Sequence, residues 1–100
     1  MNTPCYIRAM GHCVPQSVLT NADFERMVDT NDEWIVSRTG IRERHVALNG
    51  ETCVDLCLGA SRAALAQAGM DAQDITHVIV ATFSADSVIP SAACMLSHRL

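Results

Sequence analysis

The stretch Thr30-Asn-Asp-Glu-Trp-Ile-Val-Ser-Arg-Thr-Gly-Ile-Arg-Glu-Arg-His45 decides how this chain is read. It holds the only Trp and three of the seven Arg. Its first half predicts a short capped helix. Thr30 followed by Glu33 fits a capping box, in which each side chain bonds the other residue's backbone N–H. Asp32 and Glu33 put negative charge in the first turn, where the helix dipole favours it. Gly40 can take a positive φ and end the helix. Trp34 and Arg38 are four apart and share a face, about 6 Å apart along the axis. A flat ring held between two side chains needs about 7 Å, or two contacts of ~3.5 Å. An indole and a planar guanidinium are therefore spaced to clamp an aromatic ring such as a nucleotide base. The alternative is a core Trp with an Arg extended past it, and spacing alone favours that alternative.

Outward from this stretch the chain alternates strand and helix signals. Thr20 is placed to cap a short helix, with Asp23 at its third position and Phe24, Met27 and Val28 as its apolar face. Cys5 to Val14 reads as a buried strand broken by Gly11 and Pro15. Ile41 to Ala47 reads as extended, and Asn49-Gly50 as a turn. Thr52 caps the longest helix, which runs to about Ala68 and stops at Gly69. Val54, Cys57, Leu58, Ser61, Leu65 and Ala68 form one face, with Asp55, Arg62 and Ala66 opposite. Gly59, Ala60, Ala63 and Ala64 are small enough to let that helix sit close against a neighbour. Met70 to Ile75 is a short connection. His77-Val-Ile-Val-Ala-Thr82 is apolar on both faces, as in a central parallel strand. Strand, helix and strand then make a right-handed βαβ unit. Phe83 to Val88 is a loop, and a last helix begins at Ser91 after Pro90. That helix still runs at Leu100, which reads as a domain cut short.

The composition is that of a folded protein of at most one domain, 49% hydrophobic and 18% charged. Seven Arg and no Lys against eleven acidic residues give a net charge of −4, unlike a general nucleic-acid binder. The charge is segregated. Asp23, Glu25, Asp29, Asp32 and Glu33 face one Arg over residues 23–33, whereas Arg38, Arg42 and Arg44 face one Glu over 38–44. Such a basic run suits a phosphate-bearing ligand or an acidic carrier protein; solvated arginines are the equal alternative for Arg42 and Arg44. Five cysteines without paired spacing argue against a disulfide framework. No signal peptide and no apolar run of membrane-spanning length is read, so a reducing cytoplasm is the default. His12, His45 and His77 lack metal-ligand spacing. Cys94 and His98 are four apart in the last helix, but nothing nearby orients the imidazole, and a buried inert Cys is the favoured reading.

Thr20-Asn-Ala-Asp23, the run from Met27 to His45, Val78-Ile-Val-Ala-Thr82 and Pro90-Ser-Ala-Ala-Cys94 together closely resemble the N-terminal portion of the β-ketoacyl-acyl-carrier-protein synthase III family. The resemblance implies an α/β, thiolase-like fold in α-β-α-β-α layers, of which residues 1–100 are part of the first half. It implies an acyltransferase, the initiating condensing enzyme of type II fatty-acid synthesis. Its substrates are acyl-CoA and malonyl-acyl carrier protein, and it is a homodimer, with coenzyme A part of the substrate and no cofactor. Trp34 and Arg38 would hold the adenine end of coenzyme A, with Thr30 nearby. Ile89, a position often occupied by Phe, would reach across the dimer interface into the wall of the partner's acyl pocket. The attacking Cys, with its His and Asn, belongs to later segments, so these 100 residues alone are expected to be inactive. The alternatives are a synthase III-like enzyme of secondary metabolism, or a non-catalytic nucleotide- or CoA-binding module if the gene ends at Leu100.

Overall fold

The computed structural model describes residues 4–100. Two compact units divide the chain: Val14–Glu51, and Met1–Cys13 with Thr52–Leu100.

In the Val14–Glu51 unit, strands β1 (Ser17–Thr20) and β2 (Glu43–Val46) pair antiparallel. Val18 stands opposite His45 and Leu19 opposite Arg44. The extended reading of 41–47 thus becomes β2. Its partner β1 was not expected, because four residues with two adjacent apolar side chains show no strand period. Thr20 ends β1 and caps α1 (Asn21–Glu25), with a complete capping box to Asp23. Side-chain and backbone hydrogen bonds from Thr20 hold the Asp23 carboxyl below its ordinary range. The helix stops at Glu25, so the expected apolar face is not built. Met27 and Val28 follow the helix as exposed turn residues, and both of their N–H groups donate to the Phe24 carbonyl.

Helix α2 (Asp32–Thr39) begins one residue later than expected. Asn31 is the cap, and its Oδ1 accepts the Trp34 N–H at 2.8 Å. Asn caps at least as well as Thr, and Glu25 takes the Asp32 N–H at 2.7 Å. The Thr30–Glu33 box is therefore not formed. Gly40 ends α2 at φ +72, donating its N–H to the Val36 carbonyl.

The second unit is built on α3 (Cys53–Ala68) and α4 (Ala92–Arg99), with a 3₁₀ turn at Ala72–Asp74. Val54 and Leu58 of α3 meet Ala92 and Leu96 of α4, with Cys57, Val78, Val80, Met95 and Leu100 packed around them. Thr52 caps α3 in a box with Asp55, and Gly69 ends it at φ +64. The small face of α3 receives the segment at residues 10–13. Met10 donates its N–H to Gln67 at 3.0 Å. A Cβ on Gly11 would run into the Ala60 carbonyl oxygen and come within 2.6 Å of the Ala64 nitrogen.

Two expected strands and the βαβ unit are not found. Residues 5–14 and 77–82 belong to no strand, and the β1–β2 pair is the only sheet among the described residues. Val78 and Val80 pack on the core while Ile79 is 92% exposed. The segment keeps the side-chain alternation of a strand. A strand, however, is a ladder of backbone hydrogen bonds, and no described segment supplies the partner.

Gly11→Ala should destabilise the full-length protein by about 1–3 kcal/mol through overpacking, measured by denaturant unfolding. A second outcome concerns acid. Backbone and side-chain hydrogen bonds from Thr52, then the Arg99 guanidinium at 2.8 Å, lower the Asp55 carboxyl from 3.8 to about 2. A lowered folded-state value adds stability above the ordinary value that is lost as pH falls through the folded one. Between pH 4 and pH 2 the wild type should therefore lose more stability than Asp55→Asn, as read by melting temperature against pH.

Candidate functional site

The Val14–Glu51 unit is tied together by one buried amide. Asn21 is 2% exposed. Its Nδ2 donates to Asp32 Oδ1 at 2.7 Å and to the Ile41 carbonyl at 2.9 Å. Its Oδ1 accepts from Arg44 at 2.8 Å, and its backbone N–H donates to the Arg42 carbonyl at 3.1 Å. Asn21 thus fixes the first residue of α2 against the segment that leaves it. Arg44 also lies over the Phe24 ring at 4.3 Å. The basic run is therefore divided: Arg44 is a structural group, whereas Arg38 and Arg42 are exposed.

With its N-terminus held in this way, α2 buries Ile35 and turns Trp34 outward, 56% exposed. Within this unit Ile35, not Trp34, is the buried residue of α2. The Arg38 guanidinium carbon lies 5.8 Å from the Trp34 ring centroid, within cation–π reach. A base lying between them needs about 7 Å, more than the spacing seen here. Beside the indole is a cavity of about 210 Å³ lined by Asp29, Thr30, Asn31 and Trp34. Because Asn31 does the capping, the Thr30 hydroxyl is not committed to the helix end. Thr30 and Trp34 thus border one small hollow together with Asp29 and Asn31, while Arg38 lies beside the indole and outside that lining. His45 is occupied locally, its Nδ1 2.7 Å from the Pro15 carbonyl oxygen.

The second unit carries Ile89, 87% exposed, directly before Pro90 and α4. Cys94 and His98 also lie in this unit, both exposed on α4. Cys94 is not buried as expected, because α4 packs through Ala92, Met95 and Leu96 instead. Burial pushes the Cys57 thiol up, with Cys53 and Asp86 adding to the effect, so Cys57 is a poor nucleophile. Among the described residues no group of three or more His, Cys, Asp or Glu is placed to hold a metal ion.

Over all 100 residues the chain is 51% identical to the β-ketoacyl-[acyl-carrier-protein] synthase III of Nitratidesulfovibrio vulgaris (strain DP4). Sequence and fold are thus similar to those of part of synthase III. The chain spans about 30% of the length of that relative. The crystal structure of 3-oxoacyl-[acyl-carrier-protein] synthase III from Aquifex aeolicus VF5 superposes with a TM-score of 0.87 at 38% identity, covering 92% of this chain and 30% of that one. The priming β-ketosynthase of the R1128 polyketide pathway matches with a TM-score of 0.87 at 32% identity, over 93% of this chain and 28% of that one. No family model matches the chain. The likeness to these synthase III structures makes the fold thiolase-like α/β, as the resemblance implied. No helix among the described residues is long and apolar enough to cross a membrane.

Asn21 and Arg44 were not identified from sequence as the residues that set this site. Asn21→Ala removes a donor pair and an acceptor from a buried network. It should lower stability by about 1–3 kcal/mol and loosen the start of α2. Denaturant unfolding of the full-length protein, with amide exchange of residues 32–35, measures both effects.

Proposed function

We propose that the protein carrying this chain is an initiating condensing enzyme of type II fatty-acid synthesis. It moves an acyl group from acyl-CoA to an active-site Cys, releasing coenzyme A. It then joins that group to malonyl-acyl carrier protein, with loss of CO₂. The carbanion formed by decarboxylation attacks the acyl-cysteine carbonyl, and oxyanion donors hold the developing charge. The observation that carries this reading is the 51% identity over the whole chain to a synthase III. In this reading the enzyme is a cytoplasmic homodimer, and coenzyme A is a substrate group.

These residues contribute substrate recognition. Trp34 offers its exposed indole face to the adenine of coenzyme A, and Arg38 covers the other side or meets a phosphate. Thr30 in the adjoining hollow supplies a hydroxyl to the base edge. Arg42 adds positive charge suited to phosphate or to an acidic carrier protein. Ile89 stands in the wall of the acyl pocket across the dimer. The likeness to the R1128 priming β-ketosynthase favours one second reading, a synthase III-like enzyme of secondary metabolism with another acyl acceptor.

Release of coenzyme A from acetyl-CoA by the full-length protein, in the presence of malonyl-acyl carrier protein, tests the activity. Failure to form a 3-oxoacyl product with any short acyl-CoA overturns it. Trp34→Ala should weaken coenzyme A binding by about 1–3 kcal/mol through loss of a stacking face. Arg38→Lys should weaken it too, since an ammonium does not stack as a guanidinium does. Calorimetry beside a melting curve separates lost binding from lost stability.

Ile in place of Phe leaves room for extra methylenes, each worth about 0.8 kcal/mol when buried. The enzyme should therefore accept primers longer or more branched than acetyl, and Ile89→Phe should narrow it toward acetyl. Relative kcat/KM for acetyl-, isobutyryl- and hexanoyl-CoA measures this.

A further inference from the structure

Both ends of α2 are held by one side chain. The Nδ2 group of Asn21 donates one proton to Oδ1 of Asp32, the first residue of the helix, at 2.7 Å. It donates the other to the carbonyl of Ile41, just past the Gly40 stop, at 2.9 Å. The start and the exit of an eight-residue helix are thus tied to a single amide that is 2% exposed. Glu25, at the other end of α1, takes the Asp32 N–H at 2.7 Å. All of these groups belong to the Val14–Glu51 unit.

The acceptor side of the same amide serves other elements. Asn21 Oδ1 accepts from Arg44 at 2.8 Å. Arg44 in turn donates to the Leu19 carbonyl at 3.4 Å and lies over the Phe24 ring at 4.3 Å. Leu19 belongs to β1 and Phe24 to α1. The donor side of Asn21 therefore ties to α2, and its acceptor side to β1 and α1. Trp34 and Arg38 stand two and six residues beyond Asp32, at about 200° and 240° round the helix from it. Any rotation of α2 swings both of them together.

We propose that the two hydrogen bonds donated by Asn21 make it a positioning residue for coenzyme A, setting the rotation of α2 at which Trp34 and Arg38 meet the adenine end. The inference rests on the reading of Trp34 and Arg38 as the adenine contacts. It carries a chemical requirement: position 21 must offer a donor to Asp32. In Asn21→Asp the carboxylate still accepts from Arg44 but opposes both the Asp32 carboxylate and the Ile41 carbonyl. Both ties to α2 are then lost while the β1 side stays held. The double variant Asn21→Asp/Asp32→Asn rebuilds the first tie with donor and acceptor exchanged.

The test uses the full-length enzyme and two acyl donors: acetyl-CoA, and acetyl-pantetheine, which carries the same thioester and lacks the nucleotide. The kcat/KM for each is measured in wild type, Asn21→Asp, Asn21→Asp/Asp32→Asn, Arg44→Met and Trp34→Ala, with melting temperatures alongside. Asn21→Asp should lower the ratio of acetyl-CoA to acetyl-pantetheine about three- to tenfold, within what a misplaced contact costs. The double variant should recover part of that loss, since the two positions act as a pair. Arg44→Met should lower the melting temperature and keep the ratio. A merely structural role moves both donors together and leaves the ratio unchanged. If Asn21→Asp does not fold, Asp32→Ala cuts the tie from the helix side, with the same expected direction. An unchanged ratio in Asn21→Asp and Asp32→Ala, with Trp34→Ala still lowering it, overturns the positioning role and leaves the adenine reading standing. A fall in Arg44→Met as large as in Asn21→Asp, or a double variant no better than Asn21→Asp, overturns it as well. An unchanged ratio in Trp34→Ala removes the adenine reading, and the inference with it.

Discussion

The Val14–Glu51 unit depends on a single carboxamide. Asn21 uses both sides of its amide, giving two protons to Asp32 and Ile41 and taking one from Arg44. A carboxylate of the same shape has no protons to give, and a hydrocarbon would leave three polar groups unpaired. Unpaired buried polar groups cost about 1–3 kcal/mol each, so the position tolerates little else. What the amide determines is the direction in which α2 leaves. Asp32 is its first residue, and each later residue follows at the helical step. The outward turn of Trp34 and the inward turn of Ile35 follow from that start.

Satisfaction of helix ends recurs through both units. Thr20 with Asp23 and Thr52 with Asp55 close α1 and α3 from within, Asn31 closes α2 and Ser91 closes α4. Short helices have a large share of unpaired backbone groups. In a chain where few side chains are wholly buried, these caps do much to specify where each helix begins. Five of the eleven acidic residues are thus occupied at the starts of α1, α2 and α3: Asp23 and Asp55 in boxes, Asp32 on Asn21, Glu25 on the α2 N-terminus and Asp86 on α3. The exposed cations Arg38 and Arg42 are freer to meet an anionic ligand, a division of labour that the net charge of −4 conceals.

Local chemistry made much of this legible in advance. The Thr20 and Thr52 caps, the Gly40 and Gly69 stops, the Asn49-Gly50 turn, the extent of α3 and the start of α4 each depend on residues a few positions apart. Such interactions can be read without knowing what lies across space. The pairing of Trp34 with Arg38 on one face was legible for the same reason. The run from Met27 to His45 was also distinctive enough to carry the resemblance to synthase III.

Decisions made across space were not legible. Whether Thr30 or Asn31 caps α2 goes with Asn21 and Glu25 gripping Asp32, contacts eleven and seven residues away in sequence. Whether Trp34 is anchor or exposed face was decided by which side of α2 meets the unit's interior. Arg44 resembled its neighbours Arg38 and Arg42 until the fold placed it beside Asn21. Residues 5–14 and 77–82 carry strand-like apolar content, but a strand exists only when a second backbone lies alongside. The order of residues determined every feature whose partners are close along the chain. Only the tertiary structure decided those whose partners are brought close by folding, because a hydrogen bond or a buried face needs its second group in space.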